Sequence, residues 1–401
     1  MRRLLMVILL AAITLGASTH APTESSPQFG DFRVTHTLGE QINIEAQVQS
    51  EIPIQEVWVF IQSENGAEII MDQAALDSLG EVTYTLDLAQ NPLRVFTNVS
   101  IWLELKLENG EAFSSETHTY FYDDNRFDWQ LLKTDEFQIY WYEGGADLGQ
   151  TMLNAAYEGL QRIRGHVTVP QPEGVAIYAY ASAMELQDIL LFSGQSAVWV
   201  AGHADPDLGV IVVSLLSGQD QTLEIKRQIP HELTHVMLYQ KLGTGYDSLP
   251  QWLNEGLAST AELFPNPDYQ VLLDKAYERG TLIPFADLCY RFPMDAANFQ
   301  LSYAESTAFT RYLQQTYGKA AMEDLIRVYA DGLGCEQGTE AALGVPLSEL
   351  EADWRQAMFD ENASFNALME FAPWMLMLVA VLAAPVGLMI IGASRRVADS
   401  E

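Results

Sequence analysis

Two short strings limit what this chain can fold into more than anything else in it: Pro230-His231-Glu232-Leu233-Thr234-His235 and Trp252-Leu253-Asn254-Glu255-Gly256-Leu257-Ala258. The first runs on into Val236, Met237 and Leu238 with a helical period, and on a helix residues four apart share a face. The imidazoles of His231 and His235 can then both reach one Zn2+, at about 2.0–2.1 Å. Glu232 adjoins the first imidazole and projects toward the same cleft without having to ligate, which suits a general base acting on a metal-activated water. A catalytic zinc wants a third protein ligand and one open position. Glu255 opens the next helical stretch with nineteen residues between it and His235. A helix ending near Leu242, a turn through Gly243 to Ser248 and a returning helix bring Glu255 alongside the histidines. Without a cation the same arrangement would bury two carboxylates side by side, which is costly, so a metal is favoured over two ordinary core histidines.

The rest of the chain has to position that helix pair. After a Pro/Ser-containing linker around Ala21 to Gln28 come short alternating runs, Gln41 to Gln47, Gln55 to Gln62, Glu81 to Leu88, Val99 to Leu107 and Thr117 to Tyr122. Alternation of period two marks strands, and Asn65-Gly66, Leu79-Gly80, Asn91-Pro92 and Asn109-Gly110 supply the turns. An antiparallel, immunoglobulin-like β-sandwich is expected over residues 28–125, serving as a spacer or as a surface for an unknown partner. Near Arg126 the texture changes. Strands are expected at Glu136 to Tyr142, Gly174 to Ala181, Ala197 to Ala201 and Val210 to Ser214, with a helix through Leu148 to Val167. Beyond Gln219 the period is helical, over Thr222 to Leu242, Leu249 to Leu263, Tyr269 to Glu278, Tyr303 to Thr316, Met322 to Asp331 and Pro346 to Phe359. The fold class is α+β, a sandwich followed by a domain of mixed sheet and helices over residues 126–362.

The ends are addressed differently from the body. Asp and Glu total 54 against 21 Lys and Arg, a net charge of -33 that repels phosphate backbones and excludes a nucleic-acid partner. The chain is nevertheless 48% hydrophobic. Met1-Arg2-Arg3, the apolar Leu4 to Gly16 and small residues at Ala17 and Ala21 have the layout of a secretory signal peptide over residues 1–21. From Phe371 to Ser394 no residue is charged, enough at about 1.5 Å per residue to cross a hydrocarbon core about 30 Å thick. Arg395-Arg396 would stay cytoplasmic. A single-pass transmembrane helix at 371–394, a cytoplasmic tail at 395–401 and a body held outside the cytoplasm at the cell membrane are therefore expected. Such a compartment permits Cys289 and Cys335 to form a disulfide, with two buried thiols as the alternative.

With these surroundings the sequence resembles the gluzincin metallopeptidases, and more narrowly the peptidase MA-like domain family, over roughly Glu136 to Phe359. The resemblance lies in the two strings, the strand Gly174 to Ala181, the Ala201-Gly202 segment ahead of an edge strand, and Tyr303-Ala304 opening a helix that ends at Tyr317-Gly318. It implies a zincin-like domain in which His231, His235 and Glu255 hold zinc and Glu232 is the catalytic base. It also implies an edge strand at Val210 to Ser214 that binds extended peptide by strand addition. Tyr303, matching a tyrosine at the start of a helix in that family, is the first candidate for stabilising the oxyanion, and His203 is the second. There are departures. Aminopeptidases sharing the Trp-Leu-Asn-Glu-Gly string carry a Gly-x-Met-x-Asn strand that has no counterpart here. Thermolysin-like relatives place an Asp four residues after the glutamate ligand, where this chain has Ser259, so support for the histidines must come from elsewhere. Pro230 either begins a helical turn or kinks one.

The function expected is that of a membrane-anchored, extracytoplasmic zinc metallopeptidase acting on a peptide or protein substrate. The alternatives are a non-catalytic cell-envelope binding protein with a degenerate peptidase domain, and an aminopeptidase.

Overall fold

The computed structural model describes residues 26–360, apart from 65, 67 and 194–200, together with Trp374 and Met377. The signal stretch at 1–21, most of the strand expected at Ala197 to Ala201, the tail at 395–401 and, apart from those two residues, the apolar stretch at 371–394 lie outside the described residues. Among the described residues no helix is long and apolar enough to cross a membrane. The chain divides into two compact units between Asp124 and Asn125.

In the first unit the described residues form nine strands, β1 (Gln28–Thr37), β2 (Gln41–Gln49), β3 (Ile54–Ser63), β4 (Ile69–Gln73), β5 (Ala75–Leu76), β6 (Glu81–Asp87), β7 (Thr97–Leu107), β8 (Ala112–Ser114) and β9 (His118–Tyr122). They make two sheets, ordered β1-β2-β6-β5 and β4-β3-β7-β8 with β9 also on β7. Every pairing is antiparallel. The alternation seen in the sequence is realised as burial: Val99, Ile101, Leu103, Leu105 and Leu107 of β7 point inward, as do Ile42 and Ile44 of β2 and Val59 and Ile61 of β3. Two apolar inner faces are thereby removed from water, which drives the sandwich. Sequence reading missed β1, β4, β5 and β8. These lie at the ends of the sheet orders and contain no fully buried residue, so their alternation is faint.

The second unit opens with β10 (Gln130–Lys133), β11 (Phe137–Trp141), α1 (Ala146–His166), β12 (Val175–Tyr180), α2 (Ala183–Phe192), β13 (Gly202–Asp205) and β14 (Val210–Ser214). Helices follow: α3 (Gln221–Leu242), α4 (Gln251–Ala261), α5 (Tyr269–Arg279), α6 (Ala296–Ala330), α7 (Cys335–Leu343) and α8 (Leu347–Arg355). The sheet is mixed, ordered β10-β11-β12-β14-β13, with β11, β12 and β14 parallel and both outer strands antiparallel to their neighbours. This corrects one expectation: Val210 to Ser214 is an interior strand, and among the described residues the outermost strand is β13, Gly202–Asp205. The reason is legible in hindsight, because Val-Ile-Val-Val-Ser lacks alternation and all five residues are buried, as befits a strand covered on both faces.

α6 also differs from expectation. It begins at Ala296, seven residues ahead of Tyr303, while the non-helical backbone of Gly318 (φ 79°, ψ 175°) separates the two helices expected at Tyr303 to Thr316 and Met322 to Asp331. Tyr303 therefore lies two turns inside a helix and not at its start. Close approaches lock the helices together. A Cβ on Gly159 of α1 would stand 2.8 Å from Pro230 Cβ in α3, and one on Gly256 of α4 would stand 2.1 Å from Thr310 Oγ1 in α6, so both contacts require glycine.

Candidate metal centre and active site

α3 runs unbroken from Gln221 to Leu242 with Pro230 inside it, and the chain then turns through a 3-10 segment, Gly243–Ser248. Gly243 takes φ 57° and ψ -137°, a conformation that favours glycine, and the reversal returns α4 beside α3. The first backbone donors of α4 are taken up by a loop: Gln251 N–H donates to Cys289 C=O at 2.8 Å and Trp252 N–H to Leu288 C=O at 3.1 Å. That loop is tied to α7 by a disulfide between Cys289 and Cys335, so of the two thiol states left open above the bonded one is present.

This framework brings His231, His235 and Glu255 together. One ligand atom from each lies within 4.8 Å of the others. Glu255 Oε2 is 3.2 Å from His231 Nε2 and 3.7 Å from His235 Nε2, while its other oxygen accepts from Gln251 Nε2 at 2.9 Å. The far nitrogen of each ring is also engaged. His231 Nδ1 faces Glu262 Oε1 at 3.1 Å, and His235 Nδ1 faces Asn254 Oδ1 at 3.1 Å and the Tyr246 hydroxyl at 3.2 Å. Asn254 Nδ2 donates to that hydroxyl at 2.9 Å, closing a small network behind His235. With both Nδ1 atoms held from behind, both Nε2 atoms converge on Glu255, the arrangement that orients ligating histidines.

Glu262, Asn254 and Tyr246 escaped the sequence reading. Glu262 follows Glu255 by seven residues, two helical turns, so helical periodicity could have found it; Tyr246 had no such mark. Ser259, one turn after Glu255, is buried, and the support that it does not give to the histidines comes from Glu262.

The electrostatics of the group are compatible with a cation. Burial opposes charge on His231, but hydrogen bonds to Glu255 and Glu262 and the nearby Glu232 outweigh it and hold the imidazole well above its ordinary range. Burial likewise raises Glu255, and His235 and His231 more than reverse this, leaving its carboxyl below the usual value. A proton on each nitrogen of His231 satisfies the carboxylates, and a divalent ion at the Nε2 side would do so for all three residues at once. Two imidazole nitrogens, one carboxylate oxygen and a neighbouring cavity form a donor set suited to zinc with an open position.

Glu232 is buried beside the edge strand, where a Cβ on Gly202 would come within 2.9 Å of its Oε1. Glycine at 202 therefore keeps room for the carboxylate. Tyr303 lines the cavity beside Glu255, and burial followed by the charges of Glu255 and Glu232 raises its hydroxyl well above the ordinary value, so it stays protonated as a donor. His203 lies on β13 and lines the same cavity as His231, Glu232 and Tyr303, with its Nε2 3.6 Å from Asp205 Oδ1. A cavity of about 410 Å³ adjoins Gly202, His231, Glu232, His235, Tyr246, Asp247, Glu255 and Tyr303. A second, about 210 Å³, lies toward Arg227, Gln228, Glu262 and Tyr269 and shares Gly202, His231, Glu232 and Tyr303 with the first.

The sequence profile of the Peptidase MA superfamily matches residues 155–360, from within α1 to the end of the described helices. The chain belongs to the Peptidase MA superfamily. No curated protein matches it in sequence. Among solved structures, the M1 zinc metallopeptidase from Deinococcus radiodurans aligns over 78% of this chain and 89% of its own, at 11% identity and a TM-score of 0.36. A family 56 carbohydrate-binding module, a beta-1,3-glucan binding domain, aligns over 23% of this chain and 98% of its own at 15% identity and a TM-score of 0.17. OgpA from Akkermansia muciniphila aligns over 25% of this chain and 29% of its own at 18% identity and a TM-score of 0.22. Likenesses at these TM-scores say nothing further about the Peptidase MA site.

Proposed function

We propose that the chain is a zinc metallopeptidase whose metal is held by His231, His235 and Glu255 and whose general base is Glu232. The observation that carries this reading is the convergence of both Nε2 atoms on one Glu255 oxygen, with each Nδ1 held from behind by another side chain. Bound zinc would polarise the substrate carbonyl and lower the pKa of water at its open position. Glu232 takes the proton of the attacking water and passes it to the departing amide nitrogen. Tyr303, kept neutral by burial and by Glu255 and Glu232, donates to the oxygen that becomes negative.

Cavities on both sides of Glu232 leave room for substrate in both directions, which favours cleavage within a chain over removal of a single terminal residue. The apolar stretch at 371–394 would hold this body at the outer face of a cell membrane. The test is hydrolysis of an unstructured protein and of N-acetylated peptides by the full chain and by Glu232→Gln. The reading expects internal cleavage that the variant loses while keeping its zinc; hydrolysis unchanged in the variant would refute it.

A further inference from the structure

A proline inside a helix has no backbone N–H to give, so the carbonyl four residues earlier loses its helical partner. In α3 that carbonyl belongs to Lys226, and its partner comes from another part of the fold: Leu263 N–H donates to it at 2.9 Å. Leu263 follows Glu262, where the chain leaves helical backbone at the end of α4 with φ -55° and ψ 131°. The Glu262 carboxylate reaches back to His231 Nδ1 at 3.1 Å. Helix α3 thus grips this corner twice, through a main-chain carbonyl at residue 226 and through the ring at residue 231. Gly159 of α1 makes room for the proline, since a Cβ there would lie 3.0 Å from Pro230 Cγ.

We propose that Pro230 is a positioning residue for the metal centre. By withholding a donor it reserves the Lys226 carbonyl for Leu263, which sets the Glu262 carboxylate against His231 Nδ1 and leaves His231 Nε2 to face Glu255. The inference rests on the reading of His231, His235 and Glu255 as ligands. An alanine at 230 would supply an N–H within reach of Lys226 C=O, and Leu263 would have to compete for it.

The test is zinc affinity, measured by chelator competition on the full chain, alongside the Tm of each variant in excess chelator. Pro230→Ala should weaken zinc binding about 10- to 100-fold, the range found when a hydrogen-bond partner of a ligating histidine is lost. Its Tm should stay level or rise, because a proline has left a helix interior. Glu262→Ala should weaken zinc over the same range, and the double variant should be little worse than Glu262→Ala, since Pro230 acts through Glu262. Unchanged affinity in Pro230→Ala, losses that multiply in the double variant, or a fall of affinity and Tm together would overturn the proposal. A parent chain that binds no zinc would overturn the ligand reading and this inference with it. A parent that binds zinc no more tightly than Pro230→Ala would overturn this inference alone.

Discussion

The two units differ in how much charge they bury. Among the described residues, the first unit buries Thr97 and Asp124 in an interior otherwise of Ile, Val, Leu, Ala, Phe and Tyr, whereas the second buries Glu232, Glu255, Glu262 and Glu305 together with His235. Removing a carboxylate from water costs several kcal/mol unless donors or a cation compensate. The second unit contains both outcomes. Glu305 has no imidazole beside it, and burial pushes its carboxyl up to about 8 although Ile283 N–H donates to it, so it is held neutral. Glu255 is equally enclosed, yet His235 and His231 keep it ionised. A buried carboxylate that sheds its charge belongs to the packing; one kept charged between two imidazoles is equipped to hold a cation.

That contrast breaks most visibly at Glu232. Replacing it by Gln removes the base without touching a proposed ligand, and kcat for peptide hydrolysis should fall about 10²- to 10⁴-fold in a steady-state assay while zinc content stays at the parent level. Tyr303→Phe removes a donor and should lower kcat about 10²- to 10³-fold, again with zinc retained. In the first unit the same measurements should be indifferent. Ile44→Ala should cost about 2–5 kcal/mol in chemical denaturation, from lost burial and the cavity left behind, with no change in zinc affinity.

The smallest effect sharpens the comparison inside the second unit. Glu305 has a folded pKa near 8 against an ordinary 4.5, so below the lower value it is protonated folded or unfolded and favours neither state. Between the two values the unfolded chain ionises first, so stability drains away as pH rises, and above the higher value the loss is complete. Glu305→Gln should therefore raise Tm, by little near pH 5 and by the equivalent of a few kcal/mol near pH 8, as read by thermal melts across that window. A gain that shrinks with rising pH would contradict the assignment of Glu305 as a neutral packing group.

Much of the site could be read from the sequence because its chemistry is local. His231, Glu232 and His235 occupy one helix, and the length of the turn to Glu255 leaves an antiparallel return as the simple solution. The strands of the sandwich were legible where one face is buried and illegible at the edges, where neither face is. Two things were hidden. The pairing of β13 with β14 decides which of the described strands is outermost, and pairing partners leave no trace in a short strand. The support behind each histidine arises from Glu262, Asn254 and Tyr246, whose roles depend on how α4 and the 3-10 turn dock on α3. The stop at Gly318 between the helices on either side of it was legible.

The central claim is that two imidazoles and one carboxylate hold a single divalent ion. Metal analysis of the purified full chain beside His235→Ala tests it most directly. The account predicts one zinc per chain in the parent and none in the variant; a parent without zinc, or a variant that keeps it, would contradict it.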